Sequence, residues 1–187
     1  MNFLNPFLNP VAILLAAFVA AFLGAAVNPL STWLHAQIDF LPAVMVFAAL
    51  TAGITTVTVT ACLGGLWQDS LSANPLGISI LPLFLVGLIV HRSHELILRD
   101  QPFAQFAVGL GASALAPFLT VLLLYTMGRQ PIVGWGSLWQ WLVVSLIGAV
   151  ATPIIFWAMS GLTASLTHPV FHESKHRPDR STRRGRL

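Results

Sequence analysis

Charged residues are scarce in this sequence of 187 residues, and cysteine is almost missing. Only 8% of the residues are Asp, Glu, Lys or Arg, and 56% are hydrophobic, whereas soluble proteins carry about 25% charged residues. This scarcity excludes an ordinary soluble domain and predicts an integral membrane protein. The single cysteine, Cys62, lies inside an apolar run. An intrachain disulfide is therefore excluded.

The sequence also lacks the short motifs that mark common active sites. Neither a nucleophile motif G-x-S-x-G nor a zinc-helix motif H-E-x-x-H occurs in it. Ser160 with His168, or Asp69 with a histidine, would be the catalytic alternatives. We predict no enzyme, no catalytic residue and no cofactor.

One loop offers candidate metal ligands, His91, His94 and Glu95. Their neighbours Arg92 and Arg99 are cationic and are typical of a solvated loop. Zinc sites need three or four such ligands held in a closed geometry. We therefore predict a polar loop here and no metal site.

The positive charge is concentrated at the C-terminus. Residues 168–187 hold six of the nine Lys and Arg residues of the chain, which has a formal net charge of +3. Beside a bilayer such a segment fixes orientation and contacts anionic headgroups. It lacks the series of aromatic platforms that single-stranded nucleic acid needs. We predict a helical bundle over residues 1–167 and a disordered, basic cytoplasmic tail over residues 168–187, with membrane lipids and no nucleic acid among its partners.

Long uncharged stretches predict several membrane-spanning helices. Residues 40–67 are uncharged over 28 positions, more than one span needs and fewer than the roughly 40 of two full spans. A threonine-rich centre favours a turn there, between two short helices. The predicted fold is an all-α bundle of about six transmembrane helices, over residues 11–27, 41–50, 57–67, 76–90, 102–127 and 137–166. A five-span bundle with the N-terminus outside fits the charges equally, and both topologies place the C-terminus in the cytoplasm.

The first apolar segment carries two rows of small residues. The first ten residues of the chain contain no Lys or Arg. A cleaved signal peptide is therefore disfavoured, and the apolar segment is predicted to stay in the protein. Small residues every fourth position let another helix approach closely. That helix belongs either to this bundle or to a partner. The predicted packing face consists of Ala17, Ala21 and Ala25 with Ala16, Ala20 and Gly24.

The most informative stretch is GGLWQDSLSANPLG, residues 64–77. It places Asp69 at the end of an apolar run and follows it with Asn74, Pro75 and Gly77, which predict a turn. A carboxylate at membrane depth is costly and raises a functional hypothesis. The alternative is that Asp69 caps a helix end.

This stretch resembles the bacterial rod shape-determining MreD family. The family's pattern has a glycine and leucine, an aspartate, a small polar turn, Pro-Leu-Gly and another apolar helix, preceded by a segment similar to IDFLPAVMVFAAL at residues 38–50. The positions that carry the resemblance, and that it marks as a structural or partner-binding turn, are Gly65, Leu66, Asp69, Pro75, Leu76 and Gly77.

The resemblance implies a function without chemistry. Its members are non-enzymatic scaffold subunits of the cell-elongation machinery, the elongasome, in the bacterial inner membrane. They position peptidoglycan synthesis by binding the scaffold protein MreC and, indirectly, MreB, RodA and a class B penicillin-binding protein. The family is also similar in fold to the substrate-binding subunits of energy-coupling-factor transporters. The alternative function is therefore small-molecule binding, for which Thr55 and Thr60 would be candidate pocket residues.

Overall fold

The computed structural model describes residues 5–26, 39–72, 74–93, 101–129 and 134–167. Within these ranges every regular element is a helix, as the sequence predicts. Six helices follow one another: α1 Asn5–Ala26, α2 Leu41–Thr51, α3 Ile54–Leu71, α4 Ile80–Arg92, α5 Pro102–Thr126 and α6 Trp135–Thr167.

The short helix α2 forms the centre of the bundle. Every residue from Leu41 to Leu50 is buried, and α2 packs against all five other helices. Its sequence is apolar on every face, as expected for a helix that is surrounded by other helices. Phe47 contacts Phe156 of α6 edge to face, with ring centroids 5.0 Å apart. The core of the protein is therefore built around this helix.

The predicted break in the long apolar segment 40–67 is confirmed. Only Ala52 and Gly53, both extended, separate α2 from α3. On either side of the break, Thr51 and Thr58 donate their hydroxyl protons to carbonyls one turn back in their own helices. These two threonines thus satisfy their hydroxyl groups locally, which suits apolar surroundings, whereas the buried Oγ1 of Thr60 has no hydrogen-bond partner among the described residues.

The helices α5 and α6 form the most extensive helix pair in the bundle. Gly109 of α5 lies against Thr152 of α6, and Gly148 of α6 lies against Ser113 of α5. Each helix therefore carries a glycine and a hydroxyl residue four positions apart, and the glycine of one helix faces the hydroxyl residue of the other. Such spacing allows close backbone approach.

Two of the helices are long and apolar enough to cross a membrane. They are Pro102–Thr126 and Trp135–Leu162, and only 22% of the first apolar window is buried in the protein. Three other apolar helices, Pro10–Ala26, Leu41–Thr51 and Ile80–Arg92, have 10 to 17 residues. Helix lengths alone therefore do not support six full membrane crossings.

Four helix starts differ from those predicted: α3 and α6 begin three and two residues earlier, at Ile54 and Trp135, and the starts of α1 and α4 differ more. The first helix begins at Asn5 and contains Pro10, although the sequence predicts a start after this proline. The fourth helix begins at Ile80, four residues later than predicted, because residues 76–79 form a turn. The basic tail, residues 168–187, lies outside the described residues.

Candidate functional site

Asp69 lies in the last turn of α3 and is 1% exposed. Its carboxylate accepts three hydrogen bonds from the segment that follows. The backbone N–H of Gly77 donates to Oδ2 over 2.8 Å, the N–H of Ser79 donates to Oδ2 over 3.1 Å, and the Ser79 hydroxyl donates to Oδ1 over 2.5 Å. A buried carboxylate is tolerated when its oxygens are bonded in this way. Asp69 thus ties the start of α4 to the end of α3.

Two glycines make this turn possible. Gly77 has φ +89°, a left-handed conformation that residues with a Cβ rarely adopt. Gly65 faces the backbone of Ile80, and a Cβ at Gly65 would lie 2.9 Å from Ile80 N and Cα. The first turn of α4 therefore sits directly on α3. We call residues 74–79 the Asp69-bound turn.

The six residues of the predicted site divide into inward and outward groups. Gly65 and Asp69 are buried, and Gly77 and Pro75 are half-buried. The two leucines point outwards, since Leu76 is 72% exposed and Leu66 is 42% exposed. The first group shapes the turn, and the leucines present apolar surface from it.

A second acidic residue, Asp39, lies just before α2 at the same end of the bundle. Its Oδ1 accepts the N–H of Leu41 over 2.9 Å, and its Oδ2 accepts the Nε2 amide of Gln68 over 2.5 Å. Burial raises the pKa of Asp39 above its ordinary value, although these two hydrogen bonds oppose the increase. The other amide atom, Gln68 Oε1, is buried and has no hydrogen-bond partner among the described residues.

A cavity of about 260 Å³ lies beside the Asp69-bound turn. Its walls come from the C-terminal halves of α1, α3 and α5, from the N-terminal ends of α4 and α6, and from Asp39, which precedes α2. Successive helices therefore alternate in direction around it. The polar residues in its lining are Asp39, Gln68, Ser72, Asn74, Ser79, Thr120 and Gln140.

The small residues of α1 contribute to both packing and cavity. Ala17, Ala20 and Ala21 are buried inside the bundle, where α1 packs against α2 and α3. Ala20, Ala21, Gly24 and Ala25 line the cavity, and Ala25 is exposed. The alanine face therefore contacts this protein's own helices in its first half and borders the cavity in its second.

The other candidate residues lie apart from this site. His91 Nδ1 is 2.9 Å from the carbonyl oxygen of Ala49, which links the ends of α4 and α2. His94 and Glu95 fall outside the described residues. Thr55 is exposed and Thr60 is fully buried. Neither threonine lines the cavity beside Asp39.

The pairing of Asp39 with Gln68 is not among the predictions from the sequence. The two residues are 29 positions apart, and only the fold of α2 back along α3 brings them together. A usable signal was present, because alternating helices place the start of α2 and the end of α3 at one end of a bundle. The reciprocal glycine contacts of α5 and α6 could likewise have been found from their four-residue spacing.

No family model matches this chain, and no match is found among curated proteins or among solved structures.

Proposed function

We propose that this chain is a non-enzymatic membrane scaffold subunit of the bacterial cell-elongation machinery, similar to MreD, that binds an MreC-like partner and so positions peptidoglycan synthesis. The observation that carries the proposal is the Asp69-bound turn. Of the residues that resemble the family motif, Asp69 accepts a hydrogen bond from the N–H of Gly77, and Leu76 lies at the surface of the turn that this bond holds.

A rigid turn suits a docking role. Asp69 and Gly77 hold the backbone in one conformation, so the exposed Leu76 is presented without being free to move widely. Binding through such a residue loses less conformational entropy than binding through a flexible loop. The inward residues of the motif are then needed for the shape of the surface, and the outward leucines for contact.

The proposed location is the bacterial inner membrane, with all six helices in the bilayer and the C-terminus in the cytoplasm. Support comes from the outer surface of α6, where six large apolar residues are exposed at intervals of three or four positions: Leu138, Leu142, Leu146, Val150, Ile154 and Trp157. Apolar surface of this extent suits lipid better than water. Short helices remain possible because their ends are bonded to protein groups, as at Asp69.

This orientation places the Asp69-bound turn and the cavity on the outer side of the membrane. The helix α6 begins at the cavity and runs away from it towards the basic tail. An MreC-like partner would then meet the turn at the outer surface.

A second candidate function is ligand binding, as in the substrate-binding subunits of energy-coupling-factor transporters. The cavity beside Asp39 favours it, because ligand sites are concave and mostly apolar with a few polar groups. In this function the chain would work with an ATPase module instead of wall-synthesis enzymes.

The scaffold proposal is tested by co-expressing the tagged chain with an MreC-like protein from the same host. The measured quantity is the amount of the MreC-like protein that co-purifies with the tagged chain. Leu76→Asn should reduce recovery at least about tenfold, which corresponds to about 1.4 kcal/mol. Met127→Asn is the control, since Met127 is 64% exposed and follows α5 at the same end of the bundle. Unchanged recovery with Leu76→Asn would contradict a docking role for the turn.

A further inference from the structure

The hydroxyl groups that line the cavity have already used their protons inside the protein. Ser79 donates to Asp69 Oδ1, Ser72 donates to the carbonyl of Asp69, and Thr120 donates to the carbonyl of Ala116. Each hydroxyl can therefore offer only the lone pairs of its oxygen to a molecule in the cavity, and Ser72 Oγ already accepts the N–H of Asn74 over 3.4 Å with one of them. Three polar groups of the wall thus act as acceptors.

Two half-buried residues of the lining, Asp39 and Gln68, also offer acceptors, whereas the other two polar residues of the lining, Asn74 and Gln140, are exposed. An ionised Asp39 carboxylate can only accept, and it fixes the orientation of the neighbouring amide, because Gln68 must turn Nε2 towards it. Gln68 Oε1 is thereby left as the unpartnered atom. An unpartnered buried oxygen costs free energy until it accepts a hydrogen bond.

The rest of the lining is apolar. It includes Ala20, Ala21, Leu83, Ala116 and Val144, and no Lys or Arg of the described chain is among the lining residues. A cavity that is rich in acceptors and has no cation repels anions and attracts groups that donate several hydrogen bonds. The complementary ligand therefore carries N–H donors and, at best, a positive charge.

The cavity also has a side that is compatible with entry from lipid. Residues of α1 and α5 both line it. These two helices do not pack mainly on each other, because α1 packs on α2 and α3, and α5 packs on α6, α2 and α4. Ala25 on α1 is exposed at the rim. A head group could thus enter while its acyl chains stay beside α1 and α5.

We propose that this cavity binds a primary ammonium group, held by Asp39, Gln68 Oε1 and the lone pairs of Ser72, Ser79 and Thr120. Its source is either the head group of a membrane lipid such as phosphatidylethanolamine or a water-soluble primary amine. The inference deepens the second candidate function and does not depend on the scaffold role, since partner recovery is measured separately. An incoming cation would also favour the ionised form of Asp39, which burial alone disfavours.

The experiment compares two lipids that differ in N–H donors. The full chain is purified in detergent, stripped of lipid, and titrated with phosphatidylethanolamine or phosphatidylcholine of the same acyl chains, with binding followed by native mass spectrometry. Phosphatidylcholine carries the same charge but no N–H. We expect phosphatidylethanolamine to bind at least about tenfold more tightly, the size of effect expected of one hydrogen bond to a charged group.

Matched variants locate the binding. Gln68→Leu removes the free acceptor, and Ala25→Phe fills the rim, so each should abolish the preference. Ala26→Phe is the control, because Ala26 is the next exposed residue on α1 and does not line the cavity. It should bind as the unaltered chain does. Ala25→Phe alters an exposed position, so it keeps the test valid if Gln68→Leu fails to fold.

Titration with free ethanolamine and with butylamine separates the two sources. Binding of these amines that Gln68→Leu abolishes would assign the site to soluble amines, whereas a preference seen only with the lipids would assign it to a head group. Either result supports the proposal. Equal binding of both lipids together with no amine binding, or a preference that survives in both Gln68→Leu and Ala25→Phe, would overturn it.

Discussion

Gly109 of α5 and Thr152 of α6 are in such close contact that no side chain fits between them. A Cβ built at Gly109 would lie 2.7 Å from Thr152 Cβ, a distance that Cβ atoms do not adopt. Gly148 of α6 makes the matching contact with the side chain of Ser113 of α5. The pairing of the two longest helices therefore depends on the lack of a side chain at two positions.

We predict that Gly109→Ala destabilises the protein by about 1 to 3 kcal/mol, the usual cost of overpacking a well-packed contact. Gly111→Ala is the control on the same helix, because a Cβ at Gly111 meets nothing within 4 Å. It should be neutral or stabilise by up to about 1 kcal/mol through higher helix propensity. Thermal unfolding of both variants in detergent measures the difference. Equal effects of the two substitutions would rule out the close contact.

The Asp69 carboxylate should be required for stability, and its charge much less so. Asp69→Ala leaves the N–H groups of Gly77 and Ser79 without their acceptor, at about 1 to 3 kcal/mol for each buried unpaired group. Asp69→Asn keeps one oxygen for the N–H groups, and its amide can donate to the Ser79 hydroxyl, so it should cost far less. Hydrogen exchange at Gly77 and Ser79, measured by NMR, should speed up in the alanine variant only. Unchanged protection there would contradict the described hydrogen bonds.

The backbone conformation at Gly77 gives a separate test of the turn. With φ +89°, Gly77→Ala should destabilise by about 1 to 2 kcal/mol, whereas Gly77→Asn should recover part of the loss because Asn tolerates left-handed conformations better. A Cβ at this position has room, since its nearest neighbour is Ile80 Cδ1 at 3.9 Å. The comparison therefore reports conformation and not crowding. Thermal unfolding in which Ala and Asn behave alike would be inconsistent with the turn.

Asp39 should make stability depend on pH. Its native pKa lies above the ordinary value because of burial, so the folded chain binds the proton more tightly than the unfolded chain, in which the pKa is about 3.9. Stability should therefore increase as pH falls from neutral through the native pKa, and this change should level off below the unfolded pKa. Asp39→Asn should remove this dependence and keep the fold, since its amide can donate to Gln68 Oε1. Unfolding curves between pH 4 and 7 test this, and a dependence identical in both proteins would show that another group titrates.

Much of the fold could be predicted from the sequence because hydrophobic runs and helix breakers act locally. The break at Ala52 and Gly53, and the start of α5 at Pro102, are both examples. The late start of α4 could not be predicted, because it depends on hydrogen bonds from Gly77 and Ser79 to a carboxylate eight to ten residues earlier.

The candidate site could be predicted only in part, for the same reason. Asp69 and Gly77 stand out in the sequence as an acid in an apolar run and a turn residue. The partnership of Asp39 with Gln68, and the cavity beside them, arise where segments distant in the sequence pack together, and they have no local pattern.

The proposed scaffold function within the cell-elongation machinery is best tested by gentle purification of the tagged chain from membranes of its own host, with the co-purifying proteins identified by mass spectrometry. We predict recovery of an MreC-like protein, accompanied by RodA or a class B penicillin-binding protein. Recovery of an ATPase pair with its coupling membrane subunit, and of none of these wall-synthesis proteins, would contradict the scaffold function.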